Sequence, residues 1–313
     1  MRDDASALWI KADYPTGPVR LIEPFGAGGG VDVLARVVAE KLSGLWGQPV
    51  TVENHPGGGS TAAPGMVAQS PPDGYTLLVN TSAHAYSATL VTDLPYDPLH
   101  DFIPVAALTG QAYVLVAGRT AGIGTVAELI AAGHARSGEL TFASAGVGTG
   151  THVAVEALSR AAGITAVHRP ASAADAISDT IAKTAAGDTD YAMFPIATAE
   201  PLLRSDDLVA LGVSTARRSA LLPQVPTIAE AGVPGFDFPI WYGLWAPAGT
   251  PDPVVHTLAR DVSRALTAPD FQGWLTSHGA HHMGMDHAEF ARFVHAESER
   301  AAHIINDTPT TLE

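Results

Sequence analysis

Leu21-Ile22-Glu23-Pro24-Phe25-Gly26-Ala27-Gly28-Gly29-Gly30-Val31-Asp32 reads as a strand, a glycine-rich turn and a helix start. Residues 19–22 have strand character. From Val31 the apolar residues fall at Val31, Leu34, Val37, Val38, Leu42 and Leu45, which is helical spacing. Four glycines in five positions clear the turn of side chains. Several backbone N–H groups can then face one space beside the positive end of a helix, a setting for phosphate or carboxylate. A dinucleotide is one reading of that anion. Gly26 and Gly28 fit the start of G-x-G-x-x-G, and Glu53 follows the apolar run Val50-Thr51-Val52 at the right distance, but Val31 stands where the third glycine belongs. A Walker loop needs a Lys that is missing here. A tight turn with no ligand is the remaining reading.

Composition narrows the choice. A chain of 313 residues has length for two domains, and 46% hydrophobic against 16% charged residues describes a globular protein. The net charge of −15 argues against nucleic acid and against anionic membrane surfaces, though backbone dipoles can still hold an anion locally. With no cysteine, disulfides, thiolate catalysis and Cys-ligated zinc are excluded. No stretch approaches the ~20 apolar residues of a membrane span. The first eleven residues lack the apolar run of a signal peptide, so the expectation is a cytoplasmic protein or a mature form given a new Met.

Strands and helices alternate along the chain, which predicts parallel sheets with ligand loops at the strands' carboxyl ends. A second glycine-rich turn, Asn54-His55-Pro56-Gly57-Gly58-Gly59-Ser60, follows the second strand. A strand over 75–80 stops at Thr81-Ser82-Ala83-His84. Thr125 and Glu128 form a capping box for a helix over 125–136. Leu140 to Ala143 opens onto Ser144-Ala145-Gly146-Val147-Gly148-Thr149-Gly150-Thr151-His152, a second strand, small-residue loop and helix start. Helices are expected over 172–185 and 223–232. Two crossings, near 109–112 and 214–236, give two α/β lobes joined by a hinge. Lobe 1 is residues 14–108 plus 237–313 and lobe 2 is 109–236, with the ligand cleft between them.

The ordered motifs resemble one family over nearly the whole chain. They are Tyr14-Pro15-x-x-Pro18-Val19-Arg20-Leu21, Pro24-Phe25 with Gly28-Gly29, Asp32-Val33-x-Ala35-Arg36, and Leu45-x-Gly47-Gln48-Pro49-Val50-x-Val52-Glu53-Asn54-x-Pro56-Gly57. Asp73-Gly74-Tyr75-Thr76-Leu77-Leu78, Leu94-Pro95-Tyr96-Asp97-Pro98-x-x-Asp101-Phe102, Ala143-Ser144-Ala145-Gly146-x-Gly148-Thr149-x-x-His152, Val225-Pro226-Thr227-x-Ala229-Glu230-Ala231-Gly232 and Pro247-Ala248-Gly249-Thr250-Pro251 continue the series. Each is weak alone, and their order is specific. The chain resembles the Bug or TctC solute receptors of tripartite tricarboxylate transporters. The resemblance implies a two-lobed, type II-like periplasmic-binding-protein fold and a small carboxylate in the cleft. It also implies a membrane transporter as partner, no cofactor, and a periplasmic or otherwise extracytoplasmic location. It implies that Phe25, Gly26, Ala27, Gly28 and Gly29 hold one carboxylate through backbone groups and water. Thr81 and Ser82 then add hydroxyls, and the loop from Ser144 through Gly148 and Thr149 to His152 holds the far end.

Three departures from the family pattern stand out. Arg169-Pro170-Ala171-Ser172-Ala173 replaces Pro-Tyr-Lys-Gly, Phe194-Pro195-Ile196 replaces Phe-Asp-Asn, and His84 and Tyr86 interrupt a run of small residues. They point to a less polar or aromatic acid with Arg169 as clamp, while two anion sites facing across a hinge suit a dicarboxylate or an aromatic carboxylate. His84 is expected to hydrogen-bond the ligand, and Pro195 and Trp241 to line the cleft. Arg169 pairing with Asp175 is the competing reading. The rival function is a cytoplasmic enzyme acting on a small acid, an isomerase, lyase or hydrolase, with His84 and His152 as acid and base. Seven of thirteen histidines lie between His256 and His303, with His278, His281, His282 and His287 in and beside one turn. No metal site is expected there.

Overall fold

Two mixed six-stranded sheets carry the chain, and a hinge joins them. The computed structural model describes residues 14–57, 60–90, 93–171, 176–199, 207–306 and 311–312. The chain begins with β1 (Val19–Glu23), α1 (Gly30–Trp46), β2 (Val50–Asn54), α2 (Ala62–Ala68), β3 (Thr76–Thr81), α3 (Ala83–Leu90) and β4 (Phe102–Gln111). It crosses at Ala112 into β5 (Tyr113–Gly118), α4 (Val126–Ala135), β6 (Thr141–Ser144), α5 (Gly150–Ala162) and β7 (Val167–Pro170). There follow α6 (Ala176–Ala186), β8 (Tyr191–Pro195), α7 (Ile196–Ala199) and β9 (Leu208–Val213). It returns through β10 (Ile240–Pro247), α8 (Asp252–Leu266), α9 (Pro269–Ser277), β11 (Ala280–His281) and α10 (His287–Asn306), and ends in β12 (Thr311–Leu312).

The two sheets share one design. The first runs β11-β4-β10-β3-β1-β2 and the second β12-β7-β6-β8-β5-β9. In each, a central strand (β1 or β6) pairs in parallel with two neighbours. The next strand out (β10 or β5) is antiparallel to both of its partners. These two antiparallel strands are the ones the chain enters on crossing between lobes. The central strands are buried on both faces, so they read as apolar runs rather than as alternation. The sequence division leaves the chain's end with lobe 1, whereas Thr311 and Leu312 pair with Val167 and His168 of the second sheet.

Large aromatic side chains fill the first lobe. Trp241 and Trp245 are fully buried with Phe290, and α10 lies against α3, β4 and α5. Glu297 on α10 anchors this core. Its Oε2 accepts from Tyr86 OH at 3.0 Å and Trp241 Nε1 at 3.1 Å, and its Oε1 accepts from Arg300 at 3.2 Å. Truncating Trp241 to Ala would cost on the order of 3–5 kcal/mol.

Some local expectations are corrected. The strand stops at Thr81 as expected, and residues 83–90, for which no element was expected, form a helix. Residues 223–232 form turns rather than a helix. They still contain a capping box, with Thr227 N–H donating to Glu230 Oε2 and Glu230 N–H to Thr227 Oγ1. Pro234 and Gly235 follow at once, and a helix cannot continue through them. The expected helix at 172–185 is seen from Ala176, and Asp175 lies outside the described residues. Thr125 caps α4 as expected, accepting from Glu128 N–H at 3.1 Å.

Candidate functional site

Both small-residue loops lie at the carboxyl ends of central parallel strands, and each leads into a helix. Phe25 is half-buried, Gly26, Ala27 and Gly28 are exposed, and Gly29 is half-buried as the first residue before α1. The loop is not held by its glycines alone. Glu23, fully buried at the end of β1, accepts the Phe25 N–H at 2.8 Å and a bond from Asn54. Asp32 accepts the Gly28 N–H at 2.8 Å, pairs with Arg36 at 2.8 Å and accepts from Asn54 at 2.9 Å. Burial raises the Asp32 carboxyl, but Arg36, the Gly28 N–H and Asn54 outweigh it and hold it below its ordinary value. Burial lifts Glu23 to about 7 against its two hydrogen bonds, with Asp32 adding to the rise. Two N–H groups that the sequence reading aimed at a ligand are thus taken by the chain's own carboxylates. Among the described residues, the N–H groups of Gly26 and Ala27 meet no protein acceptor. Glu53, the residue that suited a dinucleotide ribose, forms two bonds to Arg20 on the neighbouring strand, at 2.7 and 2.8 Å.

The second loop is built the same way. Ser144 is fully buried, with Oγ 2.6 Å from His168 Nε2 and accepting from Gly146 N–H at 3.1 Å. Thr149 Oγ1 donates to Gly146 O at 2.8 Å, and Thr151 Oγ1 accepts from Ala145 N–H at 2.9 Å. Gly148 N–H donates to His152 Nδ1 at 3.4 Å, and His152 Nε2 lies 3.5 Å from Glu156. His152 and His168 stack at 4.3 Å beside Phe142. Burial, then the neighbouring His152, pushes His168 down to about 3. Val147, at the loop tip, is a large apolar side chain left exposed.

The two helix starts converge on the strands that cross between lobes. A Cβ at Gly30, the first residue of α1, would lie 3.4 Å from Tyr242 OH. A Cβ at Gly150, the first residue of α5, would lie 2.2 Å from Tyr113 OH and 3.6 Å from Ser82 Oγ. Tyr242 OH accepts from Gln111 Nε2 at 2.6 Å, and the buried Ser82 Oγ and Tyr113 OH meet no hydrogen-bond partner among the described residues. The floor of the interlobe site is therefore a buried set of hydroxyls and one amide, met by one helix N-terminus from each lobe. Tyr113, Gln111 and Tyr242 were not among the site residues expected from sequence. The available signal was a Tyr opening the apolar strand just past the expected crossing.

Beside this floor is a crevice of about 10 Å³ between Asn80, His84, Ser87 and Tyr96 of the first lobe and Gly148 and Thr149 of the second. That is the room of about one water. His84 packs edge-on to Phe102 and Trp245 at 4.6 and 4.9 Å, and burial pushes it down to about 3. Neither of its ring nitrogens has a hydrogen-bond partner among the described residues. Thr81 is buried, and its Oγ1 accepts from Ala83 N–H. Pro195 is half-buried at the end of β8, opposite Tyr113. Arg169 is exposed on β7, and strand alternation puts it on the face opposite buried His168. The Trp241 ring, expected as a cleft wall, is a core group instead. Only its carbonyl reaches the site, where it accepts Ser82 N–H at 2.8 Å.

In the histidine-rich segment, His278 stacks on Trp274 and His281 lies in β11 beside β4. Among the described residues, no group of three His, Asp or Glu is placed to hold a metal ion. No helix among them is long and apolar enough to cross a membrane.

Two α/β lobes of matched topology around a cleft of this kind define the type II periplasmic-binding-protein fold. Residues 34–309 match the family described as the tripartite tricarboxylate transporter family receptor, and the chain belongs to that family of solute-binding proteins. It is 34% identical over 294 residues to a protein of the tcbD–tcbE intergenic region of Pseudomonas sp. strain P51, covering 93% of this chain and 86% of that one. It is 32% identical over 308 residues to BugT of Bordetella pertussis, covering 97% and 93%. Among solved structures, an R. palustris protein with adipate superposes with TM-score 0.84 at 31% identity, over 94% of this chain and 98% of that one. MatC of Rhodopseudomonas palustris with bound malate superposes with TM-score 0.82 at 32% identity, over 93% and 100%.

Proposed function

We infer that this protein captures a small organic carboxylate, a dicarboxylate or an aromatic acid, between its lobes and presents it to a membrane transporter outside the cytoplasm. The observation that carries the reading is the meeting of two helix N-termini, one from each lobe, over the Ser82, Tyr113, Gln111 and Tyr242 floor. Helix starts supply N–H donors and partial positive charge, so a carboxylate needs no lysine or arginine there. Relatives solved with adipate and with malate support the same ligand class. The exposed Val147 side chain and the half-buried Phe25 ring, one on each loop, suit an apolar segment between polar ends. The lobes meet closely around the crevice at His84, so entry of a ligand requires the hinge to open.

The enzyme reading draws no support from the geometry. His84 is enclosed by aromatic rings, and His152 uses Nδ1 to hold its own loop. The test is calorimetry and thermal shift with malate, adipate and benzoate, followed by analysis of the recovered ligand. One-to-one binding with the ligand returned unchanged is expected, and 100 times Kd adds about 2.7 kcal/mol of stability. Failure of all three acids to bind, or conversion of any of them to a product, would overturn the reading.

A further inference from the structure

The two ligand loops are one backbone motif used twice, 120 positions apart. Gly28 and Gly148 both have φ of 83°, a left-handed conformation open to glycine. Gly29 N–H donates to Gly26 O at 3.2 Å, and Thr149 N–H to Gly146 O at 3.3 Å. Val33 N–H donates to Gly29 O at 3.0 Å, and Val153 N–H to Thr149 O at 3.1 Å. The third helical residue then reaches back to the left-handed glycine. Asp32 accepts from Gly28 N–H at 2.8 Å, and His152 Nδ1 accepts from Gly148 N–H at 3.4 Å. The charged acceptor makes the shorter bond, as charge assistance requires.

This back-bond fixes which N–H groups are left for a ligand. Among the described residues, Ala27 N–H and its counterpart Val147 N–H meet no protein acceptor. We propose that Asp32 and His152 are matched positioning residues, each turning one loop so that the N–H at its tip and those of the first helical turn face the cleft. The proposal rests on the carboxylate-capture reading, and it assigns His152 a role as a hydrogen-bond acceptor rather than as an acid or base. The accepting nitrogen must carry no proton, so the ring proton sits on Nε2, toward Glu156. The other groups facing this ring are His168, stacked on it, and Phe142; Ser144 is reached through His168.

The test exploits the match. An Asn at 152 carries its amide oxygen on a side chain as long as Asp32, which already makes the bond on the first loop. Malate and adipate are the probes. His152→Asn is expected to keep affinity within about threefold of the parent. His152→Leu, similar in bulk but unable to accept, is expected to lose at least tenfold. Equal affinity of the two variants, at equal melting temperature, would overturn the proposal. Nitrogen-15 spectra give a readout that needs no ligand. His152 Nδ1 is expected to appear as an unprotonated acceptor, and the Gly148 amide to lose exchange protection in His152→Leu but not in His152→Asn. A protonated Nδ1, or an unchanged Gly148 amide, would overturn it even if no acid binds. Absence of binding with these signatures present would instead count against the carboxylate reading.

Discussion

Glu23 is a carboxyl with no exposed surface, placed under the first loop with Asp32 as a neighbour. Its pKa is raised from 4.5 to about 7 in the folded chain. A raised acid keeps its proton in the fold where the unfolded chain has released it. Its contribution is therefore fully present below about 4.5 and is lost as the pH rises through about 7, an effect on the order of 3 kcal/mol. Glu23→Gln is expected to gain stability relative to the parent between those limits, measured as the difference in Tm. Parallel Tm curves would contradict this. His84 has the opposite sign. Its folded pKa is lowered from 6.5 to about 3, so its contribution is present above 6.5 and is lost as the pH falls toward 3. His84→Gln is expected to gain on the parent as the solution is acidified, by the same measurement. The opening stretch contained Glu23 and Asp32, but their roles could not be read from it. Asp32 and Arg36 stand at i,i+4 on one helix, a legible spacing, but the bonds to both carboxyls from Asn54 come from another strand, and spacing in one segment does not report that.

At the scale of elements, the first residue of α5 offers a sharp contest. Gly to Ala in a helix favours Ala by at most about 1 kcal/mol. A Cβ at position 150 would also meet Tyr113 OH at 2.2 Å, and overpacking of that kind costs roughly 1–3 kcal/mol. The clash outweighs propensity, so Gly150→Ala is expected to destabilise. Adding Tyr113→Phe removes the oxygen and is expected to restore part of the loss, and chemical denaturation of the four-member cycle measures the coupling. An additive cycle would show that the two elements do not touch in solution. The alternation of strands and helices, both small-residue loops and the Thr125 cap were legible because each is a local pattern. Helix α3 was not, since residues 83–90 lack a clear apolar stripe and owe their order to α10 packing on them. Residues 223–232 misled in the other direction, because Thr227 and Glu230 form a capping box for a helix that the chain then abandons.

The whole molecule carries a net charge of −15, while the ligand proposed for its cleft is an anion. On that reading the helix starts attract the ligand locally, and the field of the net charge repels it at longer range. Salt shortens that field, with a Debye length of about 10 Å at 0.1 M. Stopped-flow association of malate is therefore expected to speed up modestly as ionic strength rises, the reverse of a receptor steered by positive charge. A rate that falls with salt would place a basic surface at the cleft mouth. The two-lobed plan was legible in sequence because each half repeats strand, loop and helix. The late join of Thr311 and Leu312 to the second sheet was not, since two residues carry too little pattern to announce a partner strand.

The duplication of the loops has a consequence for how a ligand is counted. A diacid with two identical ends can enter head-first or tail-first, and both poses give the same complex. That degeneracy doubles its association constant, about 0.4 kcal/mol of purely statistical advantage over an otherwise equal acid with unlike ends. Asp32 on one side and His152 on the other make the two ends of the cleft unequal. An acid with distinguishable ends gives up the statistical factor and adopts a single preferred direction.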